Sequence, residues 1–343
     1  MTGDPASVPA SSKILMEPVR PSERIDTLDV LRGFALFGIL FINVSALVNP
    51  ADWFSVDWDG IGPVNYAVEV LKLFFVQGKF YSLFAFLFGL GFAVQLARAE
   101  KAGRAFAARF LWRVFLLWLI GILHLVFLWD GDILNTYAVA GVILLLFYGA
   151  KRGLDWLVRR LGNGRREKSP RWLALPAAAL LMFGPLLAFA AFVDHAFDVR
   201  DAALAGEALN EFDRNVQEQI QSMEDPGKIA EREAERTAAL ETFTHGSYMD
   251  TVRYRIGKLP DRTLSGPFWF MVAGLFLVGA YFGRNNFIGR AGELRSGFRK
   301  LLLASAAIGV PLSLLFVYVG IHHPPQPSLS WWQWSNFFLK TAS

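Results

Sequence analysis

Seven stretches of the chain are apolar for long enough to cross a lipid bilayer: residues 30 to 49, 80 to 97, 110 to 129, 133 to 150, 172 to 193, 264 to 283 and 300 to 321. A transmembrane helix needs about 20 mostly apolar residues, since each residue adds about 1.5 Å and the hydrocarbon layer is about 30 Å thick. Within that layer backbone N–H and C=O groups have no water to bond, so a span of this kind closes its hydrogen bonds internally as a helix. The expected fold is therefore all-α, a polytopic membrane helix bundle. Composition agrees, with 54% hydrophobic residues, 31 Phe, 11 Trp and only 19% charged residues in 343, against about 25% charged in soluble domains. Mean hydropathy is +0.35. Cys is absent, which removes thiolate nucleophiles, iron–sulfur clusters and cysteine-bound zinc from the chemistries available.

A further apolar stretch, 64 to 76, is too short to cross, carries Glu69 and Lys72 and runs into Gln77, Gly78 and Lys79, so it reads as an interfacial or re-entrant helix. The basic residues fix an expected orientation. Three precede the first span (Lys13, Arg20, Arg24), five lie between Arg98 and Arg113, eight between Lys151 and Arg171, and five between Arg284 and Lys300. The alternate segments 50 to 63, 129 to 132 and 322 to 330 contain neither Lys nor Arg. Basic loops stay on the cytoplasmic side during insertion, so the N-terminus is expected to be cytoplasmic, in a bacterial inner membrane by the resemblance given below. The net charge of +4 has the same origin, and no nucleic-acid partner is expected.

The first span has no small-x-small cleavage site after it, because Asn43, Ser45 and Asn49-Pro50 occupy that region, and it reads as a retained helix. Four regions follow: a cytoplasmic leader at 1–29, an N-terminal transmembrane bundle at 30–193, a loop at 194–263 and C-terminal transmembrane segments at 264–343. The loop has 15 acidic and 9 basic residues, with helix-like stretches on either side of Asp225-Pro226-Gly227, and is expected to be a small helical extracytoplasmic cap. Residues 331 to 343 open another apolar, Trp-rich segment, too short to cross, that reads as a truncated eighth span or as a segment lying at the interface.

Ionisable side chains within apolar spans cost roughly 2.5–3.5 kcal/mol each at a helix centre, which makes them functional candidates. In LDVLRGFALFGILFIN, Asp29 and Arg32 lie three apart, and Asn43 follows Arg32 by eleven residues, close to three helical turns. Asp29 and Arg32 can pair at the interface while Asn43 bonds a neighbouring helix, or Arg32 and Asn43 can form a ligand-contacting face. In GKFYSLFAFLFGLGF, Gly89 and Gly91 suit close helix packing better than a phosphate loop, whereas Lys79, two residues before Tyr81, stands at the outer entrance of a span, where it can anchor an anionic headgroup or pair with the acidic outer loops. In RVFLLWLIGILHLVFLWDGDILNTYAVAG, Arg113 and His124 share a helix face about 16 Å apart in rise, and Asp130 and Asp132 follow in the turn before Tyr137. A neutral imidazole acts as a general base near neutral pH, and a carboxylate beside it fixes its tautomer. The same residues also suit a structural His bonded to a neighbouring helix, with two aspartates wetting the loop.

These three strings resemble the YeiB-like family of bacterial inner-membrane proteins, which is grouped with the transmembrane acyltransferases. The segments that carry the likeness are RGFALFGILFIN, GKFYSLFAFLFGLGF and GILHLVFLWDGDILNTYAVAG, within 24 to 150, with a weaker echo in GSYMDTVRYRIGKL and GLFLVGAYFGRNNFIG. The spacing of Arg113 and His124 also resembles the basic-x10-His motif of membrane acyltransferases that modify glycans. The resemblance implies that His124 is the catalytic base and that Arg113 assists acyl-CoA binding or catalysis, while Asp130 and Asp132 are close enough in the turn to fix the tautomer of the imidazole. A cytoplasmic acyl-CoA is the implied donor, with Arg32, Arg109 and Arg113 near its phosphates and Asn43, Lys79, Tyr81 and Tyr137 among the binding candidates. The implied acceptor is an extracytoplasmic glycan or lipid, and no metal is expected, since His322-His323 lack a third ligand.

Two other functions use the same features. A proton- or anion-coupled transporter would employ the intramembrane Arg, His and Asp as a pathway, with 64 to 79 lining a cavity. A non-catalytic membrane partner would dock another protein through the loop at 194 to 263 and leave His124 dispensable.

Overall fold

The computed structural model describes residues 26–48, 58, 60–129, 131–161, 173–260 and 266–322. Among these the structure is helical, without a strand. The helices are α1 (Asp26–Val48), α2 (Pro63–Phe75), α3 (Lys79–Lys101), α4 (Ala107–Phe127), α5 (Leu134–Leu161), α6 (Ala174–Leu204), α7 (Glu211–Glu224), α8 (Pro226–Thr244), α9 (Tyr248–Gly257), α10 (Gly266–Arg284) and α11 (Arg295–His322). The leader before residue 26 and the expected eighth segment at 331 to 343 lie outside the described residues.

Six stretches are long and apolar enough to cross a membrane: Asp26–Val44, Pro63–Lys101, Ala107–Phe127, Leu134–Gly153, Ala174–Leu204 and Arg295–Val319. The seventh, Phe268–Arg284 in α10, is a shorter apolar helix. It is deeply enclosed, with Val272, Ala273, Phe276, Leu277 and Ala280 all fully buried. A helix apolar all round belongs at the centre of a bundle, and α10 is packed by α3, α5 and α6. Its crossing with α3 brings backbone against backbone: a Cβ at Gly89 would strike the carbonyl of Phe276, and one at Gly279 the carbonyl of Phe86. Small residues permit that approach, and it is dispersion and interhelical bonding that hold helices together in lipid. Around the crossing, the Phe88 ring stacks on Phe276 with centroids 4.4 Å apart, and Phe92 meets Phe110 edge-on at 4.8 Å.

The outward faces are apolar too. Phe34, Phe37 and Leu40 on α1, Trp112 and Ile120 on α4, and Leu302, Ile308 and Leu315 on α11 are all exposed. Such faces on helices of this length are the surface that a bilayer solvates, and the chain is a multi-pass membrane protein with transmembrane helices.

The stretch 64 to 76 forms α2, a separate 13-residue helix, about 20 Å long. A turn through Val76, Gln77 and Gly78 divides it from α3. It packs on α11, and its Lys72, buried, pairs closely with Glu69 one turn away.

The apolar window of α6 ends near residue 193, but the helix continues without a break to Leu204. Phe192, Ala196 and Val199 recur along one face of this extension and pack on Val216 and Ile220 of α7. The polar region 194–263 thus begins on the same helix as the span. Asp225 ends α7 and caps α8, its Oδ1 accepting from the Gly227 N–H at 2.7 Å with Pro226 at the first helical position. That is the function of a Pro after an N-cap aspartate.

One end of the bundle is fastened by charge. Glu100, at the end of α3, accepts from Arg152 of α5 at 2.8 Å and from Arg284 of α10 at 2.5 Å. The basic segments that follow α3, α5 and α10 therefore start from one end of the bundle, as their alternation in the sequence requires.

Candidate active site

At the opposite end, α4 finishes and α5 begins. Gly121, on the last turns of α4, faces the start of α5: a Cβ there would lie 2.9 Å from Asn135 Nδ2 and 3.0 Å from both Asn135 N and Asp132 Oδ2. The absence of a side chain lets the first turn of α5 lie directly against α4. His124, one turn further along α4, is thereby brought to Asp132, with Nδ1 3.3 Å from Oδ1. The contact is oblique, since Nδ1 is buried without an aligned hydrogen-bond partner. Catalytic hydrogen bonds are often loose before substrate arrives and tighten in the complex.

The two side chains differ in environment. Asp132 is 1% exposed and His124 is 32% exposed, so the carboxylate is sealed behind an imidazole that remains reachable. Burial pushes the Asp132 carboxyl above its ordinary value, opposed by hydrogen bonds from the backbone of Asn135 and Leu134 and by His124. Asp132 Oδ2 accepts from the Asn135 N–H at 3.0 Å and from the Asn135 side-chain amide at 2.9 Å. It thus satisfies N–H groups that a helix start leaves unpaired, and its negative charge suits the positive end of the α5 dipole. One oxygen organises α5 and the other faces His124.

The rest of this end is closed by aromatic and backbone contacts. Trp129 stands edge-on to the His124 ring, with centroids 6.4 Å apart. Tyr137, 1% exposed, donates to the carbonyl of Tyr81 at 2.8 Å and stacks on Phe84. Tyr81 itself meets Phe268 edge-on, and Lys79 donates to the Leu73 carbonyl at 3.3 Å, closing the turn between α2 and α3. From the polar region, Tyr248 at the start of α9 donates to the Phe127 carbonyl at 2.8 Å, docking α9 on the end of α4.

The remaining candidates are elsewhere. Arg113 is exposed on α4 and donates to Gln95 of α3 at 2.5 Å. Arg109 bonds the Ala105 carbonyl at 3.2 Å, at the start of the same helix. Arg32 pairs with Asp29 at 3.1 Å, its guanidinium lying against Gly91 of α3, and Asn43 is half-buried about three turns along α1. Asp130 lies outside the described residues. A second imidazole–carboxylate pair, which the sequence reading did not single out, joins His195 of α6 to Asp213 of α7 at 2.9 Å. Its signal was faint, since the two are 18 residues apart on different helices. Among the described residues no group of three or more His, Asp or Glu could hold a metal ion.

No family model matches the chain, and no solved structure matches it. Three proteins do. It is 39% identical over 140 residues to an uncharacterized 39.9 kDa protein in the amylase 3′ region of Bacillus acidopullulyticus, covering 41% of this chain and 38% of that one. It is 40% identical over 123 residues to the uncharacterized protein YeiB of Escherichia coli (strain K12), covering 35% of this chain and 30% of YeiB. Over 326 residues it is 30% identical to the uncharacterized protein YxaH of Bacillus subtilis (strain 168), covering 88% of this chain and 68% of YxaH. On that last similarity, which runs through most of both sequences, the chain belongs to the YxaH/YeiB family.

Proposed function

We propose that the chain is a membrane acyltransferase that moves an acyl group from acyl-CoA to a hydroxyl or amine on a glycan or lipid, with His124 as general base. The observation that carries the reading is the reachable imidazole of His124 backed by the buried carboxylate of Asp132. With Nδ1 turned to the carboxylate, the favoured neutral tautomer keeps its proton on Nδ1 and leaves the Nε2 lone pair for the acceptor. Nε2 takes the acceptor proton as the acceptor oxygen or nitrogen bonds to the thioester carbonyl carbon. The C–S bond then breaks, and the thiolate of coenzyme A takes up the proton held on Nε2, which returns His124 to its neutral form. Asp132 stabilises the imidazolium formed on the way, as the buried carboxylate does in the serine hydrolase triads. In this reading Arg32, Arg109 and Arg113 serve the phosphates of a cytoplasmic donor, and the protein sits in the bacterial inner membrane with its N-terminus inside.

The test is acyl-CoA binding by thermal shift on the purified protein, with radiolabelled acyl transfer to bulk envelope glycolipid. Binding by wild type, transfer lost in His124→Ala and binding weakened in Arg113→Ala are the expected results. Transfer that survives His124→Ala overturns the reading.

A second reading, a proton- or anion-coupled transporter, is favoured by one observation. An open groove of about 400 Å3 between α1 and α2 is lined by Phe41, Val68, Leu71, Phe75, Val76 and the stem of Lys72, whose ammonium pairs with Glu69 beside it. Ion flux in proteoliposomes that depends on Lys72 and Glu69, without acyl transfer, would select it.

A further inference from the structure

Two basic side chains lie on α9 and a third, Lys258, follows its last turn, and they are held differently. Arg253 pairs with Asp250 at 3.0 Å, and Lys258 approaches Glu235 at 3.8 Å. Arg255, only 8% exposed, has no carboxylate partner among the described residues. Its Nε is buried without a hydrogen-bond partner, and its guanidinium carbon lies 5.7 Å from the centre of the Phe243 ring. An arginine side chain remains charged in proteins and carries five N–H donors. Contact with a ring face attracts the cation but does not occupy those donors. A buried Nε–H left in this condition is unfavourable, and an anion that accepts from it offsets the cost.

Its position gives the anion a context. On a helix of 3.6 residues per turn, Tyr248, Val252 and Arg255 fall on one stripe of α9. Val252 is buried, and Tyr248 is bonded to the carbonyl of Phe127, three residues beyond His124. Tyr248 at the start of that stripe docks α9 on the end of α4, two turns before Arg255, which lies against Phe243 of α8.

We propose that Arg255 is an anion-binding residue that receives a phosphate-type oxyanion, its Nε and one terminal nitrogen bonding two oxygens in the planar fork geometry that guanidinium offers. The oxyanion belongs to a lipid headgroup or arrives as a small phosphate. Where the acyl-transfer reading holds, on which this last step rests, the acceptor is a phosphate-bearing molecule held by α9 beside His124.

The experiment follows hydrogen exchange of residues 248–258 in the full chain, reconstituted in phosphatidylcholine nanodiscs, with inorganic phosphate titrated in or phosphatidylglycerol included. Wild type is expected to show saturable protection with one of the two probes. Phosphatidylglycerol alone would identify a membrane lipid as the source, and inorganic phosphate alone a small oxyanion. Arg255→Gln should weaken the response at least about tenfold, while Arg253→Gln, whose partner is Asp250, should respond as wild type does. If Arg255→Gln fails to fold, Arg255→Lys serves, since it keeps the charge but loses the fork and should still bind more weakly. No response of wild type to either probe, or an undiminished response in the Arg255 variants, overturns the proposal. The readout is binding, so a protein that responds to phosphate but transfers no acyl group would refute the enzymatic reading and leave the anion site standing.

Discussion

The Asp132 carboxylate faces two ways, with Oδ1 3.3 Å from Nδ1 of His124 and Oδ2 accepting from the backbone N–H of Asn135 at 3.0 Å. One side chain therefore fixes the start of α5 and the environment of the imidazole on α4. A substitution that separates these two duties is the most informative one at this site.

Asp132→Asn is that substitution. Asn keeps an oxygen for the N–H groups of the first turn and ranks with Asp as a helix cap, so the expected loss of stability is within about 0.5 kcal/mol. It removes the charge that stabilises an imidazolium, and transfer should fall by roughly 10²- to 10⁴-fold. Asp132→Ala gives up both duties and should add a capping loss of about 0.5–2 kcal/mol. Rates of radiolabel transfer set beside melting temperatures for the two variants separate the effects. Wild-type transfer by Asp132→Asn would mean that Asp132 is a helix cap and nothing more.

The pH dependence of stability has a definite sign. Burial raises the Asp132 carboxyl above its ordinary 3.8. A group whose folded value is raised adds stability that is fully present below its unfolded value and is lost as pH rises through the folded one. Wild type should therefore lose stability relative to Asp132→Asn as pH climbs from about 4 upward, until the folded carboxyl has ionised. Melting temperatures of both proteins across the acid range in one detergent provide the comparison, and parallel curves would contradict the assignment. Transfer should change in the opposite direction, rising as Asp132 becomes the anion that supports His124.

Gly121 tests whether the approach of α5 to α4 creates the site. A Cβ at this position falls 2.9 to 3.0 Å from Asn135 and Asp132, closer than packed atoms sit, so the start of α5 must shift. Gly121→Val should cost about 1–3 kcal/mol by overpacking and widen the separation of His124 and Asp132. A lowered melting temperature with transfer reduced at least as far as in Asp132→Asn is expected. A stable Gly121→Val protein with full transfer would detach the function from this contact.

The parts of the molecule that hydropathy governs were legible in the sequence. Spans follow from the demand that lipid makes on the backbone, and Asp225-Pro226-Gly227 marked the join of α7 and α8 because Pro is at home directly after a capping aspartate. The extension of α6 was not legible by the same means. Asp194, Asp198 and Asp201 end the apolar window, yet Phe192, Ala196 and Val199 maintain a helical stripe beneath them, which only a partner such as α7 makes meaningful. Arg113 and His124 share a face, as their spacing requires, but spacing along one helix does not say what stands opposite, and Gln95 of α3 takes up Arg113. The close passage at Gly121 and the charge-bearing role of Glu100 likewise depend on which helices become neighbours. In the sequence Glu100 is one acidic residue beside a basic run.

That same residue supplies the last prediction. Glu100 bonds Arg152 and Arg284 at once and so ties α3 to α5 and α10. The three side chains are 35%, 63% and 26% exposed, so each pair is expected to contribute no more than about 1 kcal/mol. Because one carboxylate serves both, Glu100→Gln should remove both contributions together. Arg152→Gln and Arg284→Gln should each lower the melting temperature in wild type and have little further effect in the Glu100→Gln background, which a double-mutant cycle measures directly. Losses that simply add across all three positions would show that the three charges act independently. Losses that saturate would locate the inter-helix coupling on Glu100.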